Sequence, residues 1–169
     1  GAALCVFLAL YVAYRSRPVF VPSNEADPLA PYRAIVTGRP KLFAFGISIL
    51  VGLISGLSAQ SDWAIVQLWL HGGTFGTADP QFGNDVGFYV FTLPWAQFVL
   101  GFVMFAAIAA TVAALAVHFM TGALNAAALR GVGNTPAGVG APRHLSIMLG
   151  VVMLLFAASA ILNRFALAT

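Results

Sequence analysis

The 169-residue chain is 60% hydrophobic and 8% charged, with a formal net charge of +3 and a mean hydropathy of +0.92. A soluble domain carries roughly 25% charged residues, so this composition excludes a water-soluble globule and specifies an all-α helical integral membrane bundle. The basic residues flank apolar runs and form no stripe, which excludes a nucleic-acid surface.

The first apolar segment, residues 1–14, predicts a transmembrane helix of about 21 Å, short of a hydrocarbon core of about 30 Å. It has neither the basic start nor the small-residue cleavage site of a signal peptide. It therefore reads as a truncated span, and the chain as a membrane piece of something longer. Cys5 lies inside this run and has no second cysteine to pair with.

Loop 15–41 follows, with Arg15, Arg17, Arg33, Arg39 and Lys41 as topology-setting cations. Its prolines exclude a long helix, although Pro31 can open a short one to Thr37. The second span is expected over residues 42–59. Gly52 and Gly56 form a small-xxx-small pair there, and Ser48 extends the same face by one turn, which reads as a helix-packing surface. The serines of this segment have no histidine or acid beside them in sequence to activate them.

Loop 60–87 carries Asp62, Asp79 and Asp85 and no lysine or arginine. Within it, WAIVQLWLH (63–71) is too short to span. It reads as an interfacial helix, N-capped by Ser61 or Asp62, with Trp63 and Trp69 as anchors. The stretch DPQFGNDVGFYVFTLP (Asp79 to Pro94) concentrates turn formers at Asp79-Pro80 and Gly83-Asn84-Asp85. These carboxylates fall short of the six to eight oxygens a Ca²⁺ site needs. Phe88, Tyr89 and Trp95 then read as an aromatic belt, and Pro94 as a residue of the first helical turn.

The third span is expected over 94–118, with a lead-in from Phe88 and a small-residue face at Ala106, Ala110 and Ala113. Loop 119–144 carries Arg130, Arg143 and a glycine-rich run, 130–142, that lacks the lysine of a phosphate-binding loop and reads as a linker. The fourth span, 145–162, presents Gly150, Ala157 and Ala160.

Counting lysine and arginine places loops 15–41 and 119–144 in the cytoplasm, and loop 60–87 with the C-terminus on the extracytoplasmic side of a cell membrane. That topology puts His71 outside and His118 and His144 at the inner face. His118 ends a helix, where a cationic ring suits the dipole and the headgroups. No Asp, Glu, Lys or Arg falls inside the apolar cores, whereas ion and proton pathways use such groups.

The stretch Asp79 to Pro94 also resembles the signature of a bacterial family of large multi-spanning membrane proteins, uncharacterised protein family 0182. The resemblance extends to AYRSRP (Ala13 to Pro18), GLISGLSAQSDW (Gly52 to Trp63) and HLSIMLG (His144 to Gly150), in the family's order along almost the whole chain. It implies about seven predicted spans followed by a long extracytoplasmic region, of which this chain is an inner slice. It brings no assigned activity, catalytic residue, cofactor or metal.

The expectation is therefore a non-catalytic membrane module. It would anchor an extracytoplasmic domain in the lipid bilayer and pack into a membrane-protein complex or homo-oligomer. The rivals are a component of a transporter or lipid-handling system of the cell envelope, and a membrane enzyme whose active site lies elsewhere in a longer protein.

Overall fold

The computed structural model describes residues 1–16, 31–32, 34, 38–121 and 136–168. Their main elements are helices α1 (Ala2–Arg15), α2 (Pro40–Ala59), α3 (Trp63–Leu70), α4 (Leu93–Met120) and α5 (Pro136–Asn163). Short 3₁₀ turns cover Gln60–Asp62 and Phe165–Ala168, and a π turn covers Phe88–Thr92. Among the described residues no strand forms; a lone antiparallel bridge pairs Ala78 with Asp85. The fold is an all-α bundle.

Three helical stretches are long and apolar enough to cross a membrane: Pro40–Leu70, Phe88–Met120 and Gly140–Asn163. Helix α1 is apolar but shorter. It nevertheless sits at the centre, packed against both α2 and α4, while α4 also packs against α5. The core consists of Val6, Ala9, Leu10 and Ala13 of α1, Ala44 of α2, and Ala110, Ala114 and Val117 of α4. Alanines dominate because small side chains let helix backbones approach closely where the hydrophobic effect cannot draw helices together.

Four observations refine the sequence expectations. Helix α2 does not end in a loop: it passes through the 3₁₀ turn directly into α3, so Pro40–Leu70 runs helically for 31 residues. Asp62 occupies the N-cap position of α3, but no side-chain cap bond forms there, and the Ser61 hydroxyl donates instead to the Ser58 carbonyl. At the start of α4, Pro94 cannot donate a backbone bond and its ring crowds the carbonyl four residues earlier. The backbone widens into the π turn, where the Leu93 N–H donates to the Phe88 carbonyl. Helix α5 begins at Pro136, earlier than the expected linker allows, and carries Pro142 inside it.

The remainder of the glycine-rich run, 130–135, lies outside the described residues, as do Arg17 and Arg33. Of the short helix expected after Pro31, the described residues Pro31, Tyr32 and Ala34 are helical.

Candidate functional site

The connection between α3 and α4 is built around two carboxylates. Asp85 accepts hydrogen bonds from the backbone N–H groups of Phe75, Gly76 and Gly87 at 3.0, 2.8 and 2.7 Å. Asp79 accepts from the Phe82 N–H at 2.7 Å and the Tyr89 hydroxyl at 3.0 Å. The backbone closes around them, with Asp79 N–H donating to Asn84 and Val86 N–H donating to Thr77. Gly76 and Gly83 supply the positive φ angles of 71° and 68° that the turns require. At Gly87 a side chain would collide with the Gly73 carbonyl and with Asp85.

The Phe82 N–H, ahead of smaller backbone and Tyr89 contributions, holds the Asp79 carboxyl below the usual carboxylate range. The Phe75 N–H, followed by Gly87, does the same for Asp85. These oxygens are spent on the chain's own backbone, so the loop is a brace. Among the described residues no group of three metal-ligating side chains gathers.

Aromatic rings fasten the brace to the helices. Trp69 stacks on Trp95 at 4.9 Å, and Phe75 stacks on Phe91 at 5.9 Å. Phe165, beyond the end of α5, takes Phe82 and Phe88 edge-on, and Arg164 lies over its ring. Of the expected anchors, Trp69, Trp95, Phe88 and Tyr89 therefore make contacts within the chain, while Trp63 is 65% exposed.

The small-residue face of α2 divides. Ser48 is buried, and a side chain at Gly52 would lie 2.8 Å from Ala3 of α1. Gly56, like Gly46, has nothing within 4 Å of that position. Of the three alanines expected to form a face on α4, Ala110 enters the core and Ala113 packs at its edge.

At the other end of the bundle His118 and His144 meet, with Nε2 and Nδ1 3.1 Å apart. His118 is fully buried, and among the described residues its Nδ1 has no partner. This burial corrects the expectation that the His118 ring faces the headgroups. The hydrogen bond needs one imidazole nitrogen as donor and the other as acceptor, so the pair clasps α4 to α5. His71 is separate, its ring nitrogen beside the Gln67 carbonyl at 3.0 Å.

A further cluster escaped the sequence reading. Ser55, Ser58 and Asp62 line a cleft of about 310 Å³ with Gln97 and phenylalanines of α4. Asp62 read only as a helix cap, because its partners across the cleft are more than thirty residues away in sequence.

The sequence profile of the uncharacterised protein family UPF0182 matches residues 1–169. This chain belongs to that family. It is similar to a UPF0182 protein of Mycobacterium avium, 43% identical over 162 residues, covering 96% of this chain and 16% of the relative. UPF0182 proteins of Mycobacterium tuberculosis and Saccharopolyspora erythraea are each 44% identical, over 163 and 161 residues, again covering 16% of the relative. The chain thus spans about a sixth of the length of these curated relatives. No solved structure matches it.

Proposed function

We propose that this part of the UPF0182 protein is a non-catalytic membrane module that anchors an extracytoplasmic region and packs against other membrane helices. The observation that carries this reading is the outward face of α2. Gly46, Ile49, Leu53 and Gly56 fall on one side of the helix at spacings of three and four residues. Ile49 and Leu53 are 56% and 60% exposed, and the two glycines between which they lie have open space above them. Small residues on a membrane helix let a second backbone approach. The remaining length of the relatives supplies segments for such contact.

Loop 60–87 and the C-terminus are assigned to the extracytoplasmic side of the cell membrane, and loops 15–41 and 119–144 to the cytoplasm. The distribution of lysine and arginine supports that orientation. Phe165 packing on Phe82 and Phe88 supports placing the end of α5 at the same end of the bundle as loop 60–87.

The test is assembly. In the intact protein, Gly46→Leu with Gly56→Leu is expected to abolish co-purification of a membrane-protein partner or a second copy from gentle detergent, with yield of the folded protein retained. Unchanged assembly of the double variant contradicts the packing role.

A component of a transporter or lipid-handling system is the second reading. It draws support from an apolar cavity of about 510 Å³ between α1, α4 and α5, lined by Val12, Ala110, His144 and Met148 among others. Its dimensions suit an acyl chain.

A further inference from the structure

We infer that the cleft between the end of α2 and the start of α4 binds the ammonium headgroup of a lipid, with Asp62 as its counter-ion. The inference depends on neither reading above. Asp62 lies twenty-two residues beyond Pro40 along a continuous helix, about 33 Å at 1.5 Å per residue. A carboxylate is thereby set at the far boundary of a hydrocarbon layer of about 30 Å. Among the described residues it has no ion-pair partner, and loop 60–87 holds no lysine or arginine to supply one.

The other polar groups of the cleft are suited to accept hydrogen bonds. The Ser55 hydroxyl spends its hydrogen on the Val51 carbonyl at 2.8 Å, and Ser58 spends its own on Ile54 at 3.0 Å. Both oxygens retain lone pairs, and Gln97 adds an amide oxygen. The opposite wall is aromatic: Phe98, Phe102 and Phe105 fall on one side of α4 at helical spacing. An ammonium group satisfies every part of this arrangement, pairing with the carboxylate, donating to the oxygens and lying against ring faces. A purely anionic headgroup, with no ammonium to face the carboxylate, would be repelled by Asp62. The adjoining alkyl chain follows the phenylalanine stripe towards the middle of the layer.

Gly101 gives the cleft its depth. Nothing lies within 4 Å of where its side chain would begin, so a leucine there starts in open space and extends into the space of the ligand.

The test uses the intact protein in nanodiscs of phosphatidylglycerol, with dodecylammonium as the probe and dodecanol as the uncharged control, bound ligand being counted by native mass spectrometry. Wild-type protein is expected to bind dodecylammonium at least tenfold more tightly than dodecanol. Asp62→Asn, which keeps the shape, should lose roughly that tenfold preference. Gly101→Leu should lose binding of both, and Gly150→Leu, at another open position, should bind as wild type. Phosphatidylethanolamine should displace the probe competitively, which identifies a lipid as the source of the ammonium. Equal binding of probe and control, an unchanged preference in Asp62→Asn, unchanged binding in Gly101→Leu, or no displacement by phosphatidylethanolamine would each overturn the proposal.

Discussion

Asp85 organises the loop before α4 by bonding backbone that lies ten and nine residues upstream, at Phe75 and Gly76. The turn chemistry of Asp79-Pro80 and Gly83-Asn84-Asp85 was legible in the sequence, because those residues act on near neighbours. The reach to Phe75 and Gly76 was not, because it depends on the path of the whole loop. The His118–His144 contact escaped for a similar reason. Their shared end of the bundle followed from the charge pattern, but their contact depends on how α4 and α5 rotate against each other.

The two carboxyls have lowered pKa values in the folded chain relative to the ordinary 3.8. Their contribution to loop order is therefore fully present above that ordinary value. It is lost as pH falls through the lowered ones. Amide exchange at Phe75, Gly76 and Gly87, corrected for the intrinsic rate, should stay slow from pH 7 to pH 5 and quicken below about 3.8. Asp85→Asn should show the quickened exchange already at neutral pH, since an amide offers one acceptor oxygen in place of two. Protection that is insensitive to both changes would mean that the loop is held by its aromatic contacts alone.

At the scale of elements, the three long apolar helices were legible because apolar runs of this length admit few other structures. Their ends were less so. The glycine and proline content before His144 signals a loop by local rules, yet Pro136 serves as a helix start and the helix tolerates Pro142. The passage from α2 into α3 was hidden by Gln60, Ser61 and Asp62, which read as loop residues but adopt one 3₁₀ turn. Gly52 and Gly56 look equivalent in sequence and differ in structure. Gly52→Leu should force α1 and α2 apart, since the added carbon would begin 2.8 Å from Ala3, and overpacking of that kind costs about 1–3 kcal/mol. Gly56→Leu alone should leave thermal stability of the purified protein within about 0.5 kcal/mol of wild type. Equal losses for the two variants, by thermal unfolding in detergent, would mean that Gly56 is also used inside the chain.

For the whole molecule, a helix shorter than the three long apolar ones occupies the middle. Helix α1 takes this place because α2 and α4 each offer it alanines, Ala44 on one side and Ala110 and Ala114 on the other. Small residues recur on every helix, so the sequence shows which faces can approach but not which helix takes the centre. The long helices leave most of their apolar stretches outward: only 17% of the most apolar part of Pro40–Leu70 is buried, and 6% of that of Gly140–Asn163. The central claim is that protein, and not lipid alone, covers the outward face of α2. The measurement that tests it most directly is photo-crosslinking in native membranes, with the reactive group placed at Ile49 and, separately, at Leu53 of the intact protein. The account predicts protein adducts at both positions, from a partner, a second copy or another segment of the protein. Adducts to lipid only, at both positions, would contradict it.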